Sequence, residues 1–258
     1  MIKISGTIIT YNEEKHIERC IRSMIDVTDE IVVVDSFSTD RTKEICAELG
    51  KTLNIRFFEH PFEGHIEQKN FAKNLTSYDY ILSLDADEAL NDVLRSEIAS
   101  IKQDTKYQAY SFNRLTSYCG KWIHHCGWYP DKKLRLFHKE CGEWGGENPH
   151  DRVLVKEGIP TFHIKKGDLL HYSFLSIAQH ANTANTFSET AAREALAKGK
   201  KASFLIHVLF NPLYTFIKKY FFQRGFLDGY YGFIICILSA HSNFLKYSKI
   251  WYAKHSHK

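Results

Sequence analysis

The chain has 258 residues, 44% of them hydrophobic and 25% charged, with a formal net charge of +4. That length and apolar fraction suit one large domain, or one domain with an appendage, and exclude global disorder. So small a charge excess gives no ground for a nucleic-acid partner. Six scattered cysteines and an opening Met1-Ile2-Lys3-Ile4 that runs directly into a strand lead us to expect free thiols and a cytoplasmic location. No apolar run reaches the roughly 20 residues that cross a bilayer.

Taken in chain order, residues 2–10 predict a strand. The spacing of Ile17, Cys20, Ile21 and Met24 predicts a helix over 13–24. The β-branched run Glu30–Asp35 predicts a second strand, and Ser38-Thr39-Asp40 predicts the start of a helix to Leu49 with Ser38 or Asp40 as its cap. A strand over 55–59, a helix over 65–74, a strand over 80–84 and a helix over 91–102 follow. Continuous apolar strands alternating with helices predict an α/β fold with a parallel sheet covered on both faces. In such sheets ligands sit at the carboxyl ends of the strands. Tyr11-Asn12, Asp35-Ser36 and Asp85-Ala86-Asp87 all fall at strand ends. Beyond residue 106, strand-like pieces (107–115, 133–138, 153–156, 168–171) alternate with Gly-, Trp- and His-rich turns. From Ser176 onward the pattern is helical.

Carboxylates two residues apart in an extended segment project to one side. Asp85 and Asp87 are therefore expected to converge on a hard divalent cation shared with substrate phosphates. Tyr11, directly after the first strand, offers a ring for a nucleobase, and Asn12 or Glu14 offers polar groups for its edges; Asn12 as a helix cap is the competing reading. Asp35 offers an acceptor for the imide N–H of uracil, Asp40 a turn or cap role, and Lys69 a charge for a diphosphate. Cys119, His124, His125, Cys126, His138 and Cys141 raise the question of zinc, but their spacing lacks the paired Cys-x-x-Cys of a structural site. The aromatic and basic stretch 204–253 reads either as amphipathic helices on an anionic membrane or as helices packed on the catalytic domain. The role of Asp228 is open at this level.

Thr-Tyr-Asn-Glu-Glu (10–14), Val-Val-Asp-Ser-Phe-Ser-Thr-Asp-Arg-Thr (33–42), Gln-Lys-Asn (68–70) and Leu-Ser-Leu-Asp-Ala-Asp-Glu (82–88), in that order, resemble family 2 glycosyltransferases. Gly-Trp-Tyr-Pro-Asp (127–131), Arg-Leu-Phe (135–137), His-Asp-Arg-Val (150–153) and Phe-Leu-Asp-Gly (226–229) narrow the resemblance to the bacterial lipopolysaccharide-core β-1,4-glucosyltransferase group. It covers nearly the whole chain.

The resemblance implies a GT-A fold, with a Rossmann-like, mostly parallel central sheet and a helical C-terminal extension. It implies a catalytic domain over 1–175, divided into a nucleotide-sugar half (1–105) and an acceptor half (106–175), and a helical region over 176–258. The implied partners are a nucleotide-sugar donor, UDP-glucose by preference, and a glycan or lipid-linked glycan acceptor of the cell envelope at the inner face of the cytoplasmic membrane. The implied cofactor is Mn2+ or Mg2+. Thr10, Tyr11, Asn12, Glu14, Asp35 and Lys69 match positions around the nucleoside. Asp85 matches a position near the ribose, Asp87 and His171 the metal, and Asp151 the base. Relatives more often carry His-Glu where this chain has His150-Asp151, so the carboxylate is one methylene shorter; Glu143 and Glu147 are the fallback bases. The competing functions are a phosphohydrolase using Asp85 and Asp87, and a non-catalytic sugar-nucleotide-binding protein.

Overall fold

The computed structural model describes residues 1–147 and 150–255. The elements in chain order are β1 (Ile4–Thr10), α1 (Ile17–Met24), β2 (Glu30–Asp35), α2 (Thr42–Leu49), β3 (Ile55–Glu59), α3 (His65–Asn74), β4 (Tyr80–Asp85), β5 (Glu88–Leu90) and α4 (Asp92–Gln103). Then come β6 (Ala109–Tyr118), β7 (Lys121–Ile123), β8 (Asp131–His138), β9 (Gly142–Glu147), β10 (His150–Val155), β11 (Thr161–Phe174) and α5 (Ile177–Ala197). Three short helical segments, Phe204–Phe210 (π-type), α6 (Asn211–Ile217) and Lys218–Phe222 (π-type), precede a 3-10 turn at Gly225–Asp228 and α7 (Gly229–His255).

Two compact units divide the chain: residues 1–115 with 131–172, and residues 116–130 with 173–258. The segment 116–130, expected in the acceptor half, thus groups with the C-terminal helices. The reason is packing: Tyr118, Ile123 and Cys126 share a core with Ile235 and Cys236 of α7.

The first unit is built on a mixed sheet with the strand order β3-β2-β1-β4-β8-β6-β11-β5. Its β3-β2-β1-β4 half is parallel, as the apolar runs predict, and β8 then joins β4 antiparallel. Alternate residues of one strand feed opposite faces. Ile31 and Val33 of β2 pack with Ile17, Ile21 and Met24 of α1, whereas Val32 and Val34 pack with Ala72 of α3. Gly6 lets α1 approach, since a Cβ there would lie 2.8 Å from Met24 Cε. Register pairs Ile9 with Asp85 and Thr10 with Asp35, so β1, β2 and β4 end on one rim.

Helix α1 starts four residues later than its apolar spacing predicts, after a turn over residues 14–16 whose entry is tied to the 40–42 segment. Glu13 N donates to Thr42 Oγ1 at 2.9 Å and Glu14 N to Asp40 Oδ2 at 3.0 Å. Asn12 does not cap it; the residue sits at φ 54° and accepts from Thr39 N at 2.8 Å. Helix α2 begins at Thr42, with Asp40 Oδ1 bonding Thr42 N at 3.0 Å, so Asp40 organises the turn. Asn91 caps α4 through Leu94 N at 2.9 Å.

In the second unit α5 packs on α7 through Ala192, Ala195 and Ile250. His180 of α5 is buried, 3.1 Å from Tyr118 Oη. Burial, with a smaller push from Lys219, lowers its pKa to about 4. A histidine held neutral in the fold but protonated in the unfolded chain loses stability as pH falls from about 6.5 toward 4. We expect His180→Gln to remove roughly 3 kcal/mol of that acid sensitivity, read as the difference in denaturation free energy between pH 7 and pH 4. Equal pH slopes for the two proteins would contradict it.

Candidate active site

A cavity of about 820 Å³ opens at the shared rim of β1 and β4, lined among others by Thr10, Tyr11, Lys69, Asp85, Asp87, Arg135, Trp144, Asp151 and His171. Each reaches it for a local reason. Thr10 and Tyr11 end and follow β1. Asp85 ends β4, and Asp87 lies in the two-residue turn into β5. β5 pairs antiparallel with β11, placing His171 opposite Glu88, and Tyr172 N donates to Asp87 O at 2.9 Å. That register sets Asp87 Oδ2 3.2 Å from His171 Nε2. Helix α3 carries Lys69, and the β9–β10 hairpin carries Trp144 and Asp151.

Lys69 is the electrostatic centre. Only 3% exposed, its Nζ lies 2.7 Å from Asp85 Oδ1 and 2.7 Å from Asp151 Oδ2, and 4.3 Å from the Trp144 ring centroid. Arg135 Nη2 holds the other Asp85 oxygen at 3.0 Å and Glu88 Oε1 at 2.9 Å. Arg114 adds Nη1 to Glu88 at 3.3 Å and Nη2 to Asp131 at 2.7 Å. Burial works to raise the Asp85 carboxyl, but Lys69 and Arg135 outweigh it and hold it below the ordinary carboxylate range. The stabilisation from this pairing is present above an aspartate's ordinary pKa of about 3.9 and is lost only in strong acid. Arg135, opposed by burial but flanked by Glu88 and Asp85, is held more firmly charged than usual. Taking Lys69 away strands two carboxylates, so Lys69→Met should cost about 3 kcal/mol in chemical denaturation. An unchanged midpoint would mean that water already solvates Asp85 and Asp151.

Asp85 and Asp87 do not converge. Strand alternation stops at Asp85, so the turn aims Asp87 at His171 while Asp85 faces the cations. Among the described residues no group of three or more Cys, His, Asp or Glu is arranged around one ion position. A carboxylate and an imidazole 3.2 Å apart nevertheless fit a cation that takes its remaining ligands from diphosphate and water. Thr10 and Trp144 both line the cavity, and among the described residues neither Thr10 Oγ1 nor Trp144 Nε1, both buried, has a hydrogen-bond partner, which leaves each able to bond a ligand.

Three residues expected beside the nucleoside are absent from the cavity lining. Asp35 is fully buried and accepts from Ser38 N at 2.7 Å and Ser38 Oγ at 2.5 Å. Asn12 holds Thr39, and Glu14 Oε2 accepts from Arg41 N at 3.1 Å. All three satisfy amides of the 36–42 turn. The cysteine and histidine cluster divides: His138 and Cys141 belong to the first unit, Cys119, His124, His125 and Cys126 to the second. There Asp228 accepts from His125 N at 2.9 Å and pairs with His125 Nδ1 at 3.0 Å, so it orders the 124–126 turn. Sequence reasoning gave no site role to Arg114, Arg135 or Glu88; an arginine set among apolar residues of a strand, as Arg114 in β6 and Arg135 in β8, was the available signal.

The model of the family described as Glycosyl transferase family 2 matches residues 5–159. An α/β catalytic unit with carboxylates on a strand-end rim and this match together show that the chain belongs to glycosyl transferase family 2 and is a glycosyltransferase. It is 35% identical over 260 residues to an uncharacterized glycosyltransferase of Rickettsia typhi, covering 97% of this chain and 87% of that protein. It is 28% identical over 267 residues to the lipopolysaccharide core biosynthesis glycosyltransferase LpsC of Rhizobium meliloti, covering 100% and 94%. Among solved structures, it is similar to the mannosyltransferase PcManGT from Pyrobaculum calidifontis in complex with GDP-Man and Mn2+, at 16% identity and a TM-score of 0.49 over 93% of this chain and 73% of that one. Likewise, it is similar to S. aureus TarS 1-349 in complex with UDP, at 12% identity and 0.48 over 100% and 92%. At those scores neither bears on what this chain binds. Family membership removes the phosphohydrolase alternative, and Asp85, clamped between two cations, is a poor nucleophile.

Proposed function

We propose that this protein transfers a hexose, glucose from UDP-glucose, with inversion onto a sugar hydroxyl of a cell-envelope glycan such as lipopolysaccharide core. The observation that carries the reading is the meeting of Asp151, Lys69 and the Asp87–His171 pair in one cavity at the strand rim. The name of the Rhizobium relative supports the acceptor class.

The nucleobase stacks on Tyr11, whose ring stands 57% exposed at the cavity lip, and Thr10 Oγ1 bonds the nucleoside. A Mn2+ or Mg2+ ion at Asp87 and His171 would supply charge compensation to the diphosphate. Asp151 takes the proton of the acceptor hydroxyl as its oxygen bonds the anomeric carbon and the bond to the diphosphate breaks. Approach from the face opposite the leaving group inverts the centre. A diphosphate also competes for the Lys69 ammonium, and every contact Lys69 makes with it weakens the hold on Asp151, so donor binding frees the base. Trp144 covers the site against water.

The test is release of the nucleoside diphosphate (UDP or GDP) from UDP-glucose, UDP-galactose, UDP-GlcNAc and GDP-mannose with a lipopolysaccharide-core acceptor, and the anomer of the product by NMR. Transfer from UDP-glucose to a β-linked product supports the reading. Release that ignores the acceptor, or a product of retained configuration, contradicts it.

A further inference from the structure

Among the described residues, nothing covers one apolar face of the segment 204–222. Leu205, Leu209, Leu213, Ile217 and Phe221 recur every four residues and all stand exposed. Their following neighbours continue the stripe: Ile206 is 63% exposed, Phe210 62%, Tyr214 63% and Phe222 80%. The opposite side holds the segment to its own unit. Val208 is buried, and Phe216 and Tyr220 pack on the core that contains Tyr118 and Ile235. The face is thus not an unfolded remnant but one side of an anchored helical run. Soluble proteins rarely display contiguous apolar surface on this scale without a partner.

Charge identifies the partner. From Ala195 to Lys258 the sequence holds ten Lys or Arg and a single acidic residue, Asp228, which is buried against His125. Lys198, Lys200 and Lys201 stand exposed just before the stripe, and Lys218 and Arg224 stand exposed along and after it. Self-association through a two-fold axis would set this cationic patch against itself. No described helix is long and apolar enough to cross a membrane. Apolar side chains at helical spacing, flanked by cations and free of exposed carboxylates, match a surface that is apolar below and anionic above.

We propose that residues 198–224 dock on an anionic phospholipid bilayer, with the stripe at the acyl boundary and the lysines among the headgroups. This inference stands apart from the transfer reading, because it rests on the second unit alone.

The experiment is flotation of the full chain with phosphatidylcholine vesicles, with and without phosphatidylglycerol. Wild type should partition onto the anionic vesicles at least about tenfold better than onto neutral ones, and rising salt should weaken it. The double variant Leu205→Glu/Phe210→Glu should lose about tenfold or more of that partition with its thermal melt unchanged. Lys200→Gln/Lys201→Gln keeps the apolar face intact and should lose mainly the preference for anionic lipid. Failure of wild type to float, or equal flotation of the Glu variant, overturns the proposal. So does a wild-type dimer in light scattering that Phe210→Glu dissociates. In any of these cases, transfer to a soluble acceptor would leave the catalytic reading untouched.

Discussion

Asp151→Asn is expected to slow sugar transfer by about 10²–10⁴-fold without any loss of donor affinity, since a neutral amide competes less than a carboxylate for Lys69. The amide has the shape of the carboxylate and still accepts from Lys69, whose Nζ lies 2.7 Å from Asp151 Oδ2, so the cavity keeps its geometry. What it loses is the capacity to take a proton. Single-turnover transfer and donor titration, run on the same preparation, separate the two effects. Wild-type transfer by the variant would move the base to another carboxylate, Glu143 or Glu147 on the same hairpin, although neither lines the cavity.

Asp87→Ala is expected to cut transfer about 10³-fold, the equivalent of roughly 4 kcal/mol of lost charge stabilisation at the departing diphosphate. The fold should tolerate it. Asp87 lies in a turn, its side chain is 28% exposed, and the adjoining strand pairing uses its backbone carbonyl. The readouts are transfer rate against added Mn2+ and the thermal melt. A variant that transfers at the wild-type rate, or that shows the wild-type metal response, would remove Asp87 from the metal site.

The fold was legible wherever local pattern and burial coincide. The apolar runs and helical spacing placed β1 to β4, α1, α3 and α4 to within a few residues, because each element buries one continuous face. Boundaries slipped where a distant loop shapes the chain's entry into an element, as Thr42 and Asp40 do by bonding the Glu13 and Glu14 amides ahead of α1. Domain grouping slipped for the same kind of reason. Cys126 packs on Cys236, 110 positions away, and no local pattern encodes that contact.

Within the site, residues read from strand ends reached the cavity: Thr10, Tyr11, Asp85 and Asp87. Lys69, Asp151 and His171 are there too, although only the family resemblance gave the last two a role. Asp35, Asn12 and Glu14 were legible as polar groups on the correct rim but not as the partners of the 36–42 turn, since hydrogen-bond competition is a matter of three-dimensional supply. The arginine–carboxylate lattice of Arg114, Arg135, Glu88 and Asp85 spans four strands and becomes visible only when those strands are laid into one sheet.

Isothermal titration of the wild-type protein and Asp87→Ala with UDP-glucose, with and without Mn2+, tests the central claim most directly. Wild-type binding should strengthen at least about tenfold with metal, and the variant should lose that gain. Binding of equal strength in all four titrations, or no binding in any, would contradict it.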